Sequence, residues 1–98
     1  MTIDRLYEIA DETDDGSYDI PKVCEGLPKT NRADLTAFLL LDKIFPGLTD
    51  IVAAAEHDQI YLGIPLDDFA KLVTEDQARV LFHYFGLFID EDSLAMFV

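Results

Sequence analysis

The sequence predicts an α+β fold: a mostly helical single domain over residues 1–98, with about five helices and a small antiparallel sheet. Three observations carry that reading. Half of the 98 residues are hydrophobic, enough for one core in one domain. Apolar residues recur at helical spacing in the first half, as Ile3, Leu6, Tyr7 and Ala10 and then through most of 33–45. Residues 59–98 instead read strand, helix, helix and hairpin, and no repeat, low-complexity tract or linker divides the chain.

The elements follow in order. Thr2 is placed to cap a helix from Ile3 to Glu12. Asp19-Ile20-Pro21 opens a short helical turn that Gly26 and Pro28 close. Asn31, with Asp34 three residues later, is the expected N-cap of a helix running to Phe45. Ala33, Leu35, Ala37, Phe38, Leu39, Leu40, Leu41, Ile44 and Phe45 make this helix apolar on most sides, so it is expected to be central and mostly buried. Pro46-Gly47 stops it, and Thr49 is expected to cap another short helix through His57. Gln59 to Ile64 reads as a strand ended by Pro65, which starts a helix to about Val73. Thr74 to Gln77 has capping-box spacing and opens a helix to about Phe85, ended by Gly86. The tail, Leu87 to Val98, has two apolar stretches around Asp90-Glu91-Asp92-Ser93 and predicts a β-hairpin.

The order strand, helix, helix, hairpin makes the C-terminal half winged-helix-like, a resemblance of pattern alone. It implies a recognition helix at about 75–85 exposing Glu75, Asp76, Arg79 and His83, and a wing tip at Asp90-Glu91-Asp92. Affinity for DNA rests largely on Lys and Arg at phosphates. One arginine beside an acidic tip does not supply that, so no direct nucleic acid binding is expected.

Twenty acidic residues against seven basic ones give a net charge of −13. Such a surface repels phosphates and anionic membranes and attracts basic partners. No apolar run approaches the length of a membrane span, and the N-terminus lacks the basic start and apolar stretch of a signal peptide. The lone Cys24 has no disulfide partner within the chain. A cytoplasmic protein is expected, with no membrane partner.

Residues 11–22, DETDDGSYDIPK, have the layout of a calcium loop. Asp11, Thr13 and Asp15 take positions one, three and five, Gly16 takes six, Ser17 offers a carbonyl at seven, and Asp19 stands at nine. The stretch resembles an EF-hand, but Gly16 fixes the register and puts Lys22 at position twelve, where that motif needs a bidentate Glu. An ammonium supplies no oxygen and repels the ion. The loop is a degenerate EF-hand-like turn, with Gly16 expected at positive φ and no metal bound.

No catalytic constellation emerges. His57 and His83 lie on different elements, without an HExxH or a Cys/His cluster. Cys24 stands next to Glu25, which disfavours its thiolate. Acid pairs such as Asp67-Asp68 are expected by chance at this composition. The sequence therefore predicts a protein that is not an enzyme and carries no cofactor.

The N-terminal acids form the candidate site. Asp4, Glu8 and Glu12 fall at i, i+4 and i+8 of the first helix, with Asp11 beside them, and the loop adds Asp14, Asp15 and Asp19. Like charges at that spacing destabilise a helix, and Arg5 is the single base among them. Four residues of helix rise about 6 Å, comparable to the phosphate spacing along a DNA strand. Asp4, Glu8, Asp11, Glu12, Asp14, Asp15 and Asp19 are thus expected to bind a basic protein partner, and reversing Glu8, Glu12 and Asp15 to Lys is expected to leave the fold intact. In size and charge the chain is similar to phage anti-CRISPR and anti-restriction proteins and to nuclease immunity proteins. That likeness implies an inhibitor acting as a DNA mimic on a nuclease or CRISPR effector. The alternative is a structural or adaptor domain from a salt-adapted, acidic proteome.

Overall fold

The computed structural model describes residues 1–13, 16, 18–47, 52–56, 59–91 and 93–97. The elements among them are α1 (Ile3–Asp11), α2 (Ile20–Val23), α3 (Ala33–Ile44), β1 (Val52–Glu56), β2 (Gln59–Leu62), α4 (Leu66–Leu72), α5 (Glu75–Arg79), β3 (Leu87–Asp90) and β4 (Ser93–Phe97). The strands form one antiparallel sheet in the order β1-β2-β4-β3. The α+β class, the small sheet and the C-terminal hairpin are as the sequence predicts. The segment from β2 to β4 has winged-helix element order, with β2 pairing with the last strand of the hairpin.

Local signals explain most of the boundaries. The Thr2 hydroxyl accepts from the Arg5 amide at 3.1 Å and starts α1. Thr74 and Gln77 exchange both bonds of a capping box, Thr74 Oγ1 accepting from the Gln77 amide and Gln77 Oε1 from the Thr74 amide. Asp19 caps α2 by accepting from the Lys22 amide. Gly16 has φ 74°, the positive value expected of it. The cap of α3 lies one residue later than expected, at Arg32, whose side chain makes no capping hydrogen bond. Arg32 instead pairs with Asp34, Nη2 to Oδ2 at 2.8 Å.

One expected helix is a strand. The sequence predicts a short helix capped by Thr49 and running through His57. Thr49, Asp50, Ile51 and His57 lie outside the described residues, and 52–56 forms β1, with Ala55 opposite Ile60 and Glu56 opposite Gln59. Alanine favours helix by tenths of a kcal/mol per residue. Pairing along a neighbouring strand outweighs so small a preference.

Helix α5 passes into a π-helical turn over Val80–Tyr84, where the Phe85 amide donates five residues back to the Val80 carbonyl at 3.0 Å. The wider turn lets Val80, Leu81 and Phe82 all be buried in succession. The core centres on Phe69 of α4. Its ring stacks on Phe45 at 6.1 Å and meets Phe82 edge-on at 6.1 Å. Leu6 and Ile9 of α1, Leu40 and Leu41 of α3, and Leu94 and Met96 of β4 belong to the same buried cluster. Each such side chain contributes about 1.5–3 kcal/mol by burial. Helix α3 is less buried than expected: Ala37, Leu40 and Leu41 are in the core, Phe38, Leu39 and Ile44 are half-buried, and Leu35 is exposed.

Candidate functional site

Helix α1 has two polar faces with different fates. Leu6 and Ile9 point into the core. On one side of them, α1 packs against α5 and its π-helical continuation. Here Arg5 donates from Nη2 and Nε to the Glu75 carboxylate at 2.8 and 3.2 Å, and from Nη1 to Glu8 at 3.0 Å. Arg79 donates from Nε and Nη2 to the two oxygens of Glu12 at 3.0 and 3.2 Å, and from Nη2 to Glu75 at 3.3 Å. His83 reaches the Ile9 carbonyl at 2.8 Å.

The electrostatics follow from this geometry. The Arg79 hydrogen bond holds the Glu12 carboxyl below its ordinary value. The Arg5 bond does the same for Glu75. In turn Glu75, then Glu8, raises the Arg5 guanidinium, and Glu12 raises Arg79. Two guanidiniums among four carboxylates, Glu8, Glu12, Glu75 and Asp76, make one cluster across the α1–α5 seam.

This cluster corrects two expectations. The would-be recognition helix does not present Arg79 and His83 to solvent. The Arg79 side chain is 18% exposed and committed to Glu12 and Glu75, and His83 is half-buried against α1. Nor is Arg5 the single base offsetting the α1 acids, because Arg79 neutralises Glu12 from another helix. Reversing Glu12 to Lys would place two cations together, so the fold is not indifferent to all of the N-terminal acids.

The opposite side of α1 faces solvent. Asp4, Glu8 and Asp11, at i, i+4 and i+7, form one exposed row. Glu8 is 64% exposed although it also holds Arg5. Asp4 and Asp11 have no ion-pair partner among the described residues. Asp19 is exposed while capping α2. Of the seven candidate residues, the structure therefore places Asp4, Glu8, Asp11 and Asp19 on the surface and turns Glu12 into the seam. Asp14 and Asp15 lie outside the described residues. Lys22, at the twelfth loop position, is exposed in α2.

Cys24 is half-buried, and burial pushes its thiol up, with Lys43 opposing. His57 is outside the described residues.

The outward face of the sheet was not anticipated. Along β4, Leu94 and Met96 face the core, so Ser93, Ala95 and Phe97 point outward. The register puts Gln59 and Tyr61 of β2 and Phe88 and Asp90 of β3 on that same face. Phe88 and Phe97 stack at 4.7 Å with 26° between their planes, and Phe97 is 58% exposed. Tyr61 reaches across β4, its hydroxyl donating to Asp90 Oδ2 at 3.0 Å. A signal was present in the sequence. No Lys or Arg occurs between Lys43 and Lys71 or after Arg79, the two stretches that supply all four strands.

No described helix is long and apolar enough to cross a membrane. Set against protein-family models, characterised proteins and solved structures, the chain matches none.

Proposed function

We propose that the protein is a small acidic binding protein of the cytoplasm that works by contact with a basic protein partner, without catalysis or cofactor. In its most concrete form it is an inhibitor that occupies the nucleic-acid groove of a nuclease or CRISPR effector. The observation that supports this reading is the division of α1. Arg5 and Arg79 gather Glu12 and Glu75 into the seam, while Asp4, Glu8 and Asp11 stay outside in a row rising about 6 Å and then about 4.5 Å. Carboxylates so spaced offer a basic groove the charge pattern of a strand of phosphates. The same arrangement argues against reading DNA directly, since the arginine of the would-be recognition helix is taken up internally.

The test is competition. Nucleases and CRISPR effectors with basic grooves would be titrated with the protein in the presence of labelled duplex. The reading expects displacement of the duplex and loss of cleavage, both weakening as salt rises. Absence of binding to any of them at low ionic strength would reject it.

A second reading, a structural domain from a salt-adapted proteome, is favoured by one observation: acids are exposed on other faces as well, at Asp42, Asp67, Asp68, Asp76 and Glu91. Such a domain should unfold when salt is withdrawn. An inhibitor should stay folded there and bind most tightly.

A further inference from the structure

We infer that the outward face of the sheet docks an arginine-bearing segment of a basic protein, with the guanidinium lying over the Phe88–Phe97 pair and directed to Asp90. This is a different surface from the α1 row and does not depend on it.

Three observations lead there. First, two stacked phenylalanine rings lie on the side of the sheet away from the core, and one of them is more than half exposed. Aromatic rings on an open sheet offer large, stiff contact area at little cost in conformational freedom, which is the composition of an interface centre. Second, Tyr61, Ala95 and Phe88 stand in one cross-strand row. Ala95 is fully covered although it points outward, and the Tyr61 hydroxyl is held by Asp90 on the far side of it. The face is therefore a set platform, with a carboxylate fixed at its edge. Third, the charge there has one sign. Asp90 stands two residues beyond Phe88 on the same face, the exposed Glu91 follows it, and the segments that build the sheet contain no Lys or Arg.

Those charges select the occupant. A second copy of the chain would bring its own Asp90 and Glu91 against the first, with no cation on either sheet to offset them. A nucleic acid would be repelled for the same reason. A partner presenting cations is attracted, and among cations the flat guanidinium of arginine both stacks on an aromatic face and pairs with a carboxylate. An ammonium does the second alone. The face should thus prefer arginine to lysine at equal charge.

The test uses two synthetic probes, an arginine–serine repeat peptide and a lysine–serine repeat peptide of the same length and charge. Each is titrated calorimetrically into the whole protein, and the contacted residues are followed by NMR. Expected are roughly two- to fivefold tighter binding of the arginine peptide and shifts centred on Phe88, Ala95 and Phe97. Phe97→Ser and Phe97→Leu, both at an exposed position, should keep the wild-type circular dichroism spectrum and abolish the preference. Phe97→Leu keeps apolar area, so its loss of preference identifies the ring rather than burial. A double reversal of Asp4 and Asp11 to Lys should weaken both peptides alike and keep the preference. Equal affinity for the two peptides, or a preference that survives Phe97→Leu, would overturn the inference. So would a concentration-dependent dimer that Phe97→Ser abolishes, which would make the face a contact between copies.

Discussion

Arg79 and Glu12 stand 67 positions apart in sequence and meet in a two-point hydrogen bond, Nε to Oε2 at 3.0 Å and Nη2 to Oε1 at 3.2 Å. The pair joins the end of α1 to the end of α5, and Glu75 links it to Arg5 one turn back along the seam. Ion pairs exposed singly contribute little, but a two-point arginine contact within a network is the arrangement that does contribute. Replacing Arg79 with Met removes the two-point partner of Glu12 and leaves Arg5, 3.9 Å from Glu12 and 2.8 Å from Glu75, to offset both carboxylates. We expect Arg79→Met to lower the melting temperature by a few degrees, and Glu12→Lys to lower it further by setting an ammonium against the guanidinium. Thermal unfolding followed by circular dichroism measures both. Unchanged melting in both variants would show that the seam is held by packing alone.

The same pairs set a pH dependence. Glu12 and Glu75 are held below their ordinary 4.5 in the folded chain, by Arg79 and Arg5 respectively. The unfolded chain therefore takes up protons first as the pH falls. The stability that these pairs supply is fully present above pH 4.5 and is lost as the pH drops through the folded values. Protonating the many other acids acts in the opposite direction, because it relieves self-repulsion. Urea midpoints of wild type and of Glu12→Gln separate the two effects. The gap between the proteins should be constant from neutral pH down to about 4.5 and close below it. A gap of the same size at acid pH would assign the effect to shape rather than charge.

Phe69 is fully buried between Phe45 and Phe82 and ties α4 to the end of α3 and to the π-helical turn. Phe69→Ala should cost about 3–5 kcal/mol, the range for removing a core phenylalanine. Against a total of roughly 5–15 kcal/mol for a natural domain, that leaves little. Chemical denaturation should show a large drop in midpoint. A loss below about 1 kcal/mol would mean the site collapses far better than such sites do.

Much of this fold was legible because its signals are local. Thr2, the Thr74–Gln77 box and Gly16 each act on backbone groups within a few residues of themselves, and each does what its position implies. Strand β1 was illegible for the converse reason. Its alanines favour helix, and His57-Asp58, between the paired Glu56 and Gln59, carries no glycine or asparagine to announce a hairpin. The candidate site was half legible. That α1 is acidic is plain in the sequence. Which acids are free depends on Arg79, a residue whose distance along the chain hides it. The apolar run Leu94 to Phe97 marks a strand. It does not say that Phe97 would find Phe88 on the solvent side.

Calcium offers a direct check on the 11–22 loop. Lys22 occupies the place of the bidentate ligand and is exposed in α2, with its amide bonded to Asp19. Asp19, at the ninth position, is thereby occupied as a helix cap. Millimolar calcium is expected to leave the melting temperature unchanged. A calorimetric dissociation constant tighter than about 10⁻⁴ M, the edge of the weakest EF-hand class, would refute that expectation.

The row on α1 gives the sharpest test of partner binding, because the structure separates residues that fold the protein from residues free to bind. Asp4 and Asp11 are exposed and have no ion-pair partner among the described residues. Asp4 lies in the first turn, where the helix dipole favours it. Asp11 lies in the last turn, where the dipole opposes it and no base is present. Reversing Asp4 should therefore cost a little stability, and reversing Asp11 should return a comparable amount, leaving the double variant near wild type. Binding should behave differently. Across an interface with a basic groove, each reversal turns an attraction into a repulsion, and the penalty reaches several kcal/mol in the worst case. Most of the change should appear as slower association that recovers partly with added salt, the mark of a charge effect. Glu12→Lys serves as the contrast, since it should lose stability as well as affinity. Association rates and affinities for a captured partner would be measured for Asp4→Lys/Asp11→Lys, for Glu12→Lys and for wild type, alongside melting curves. If the double reversal is folded and binds at the wild-type rate at low salt, the row is only a solvated helix face and the phosphate-like reading of α1 is wrong.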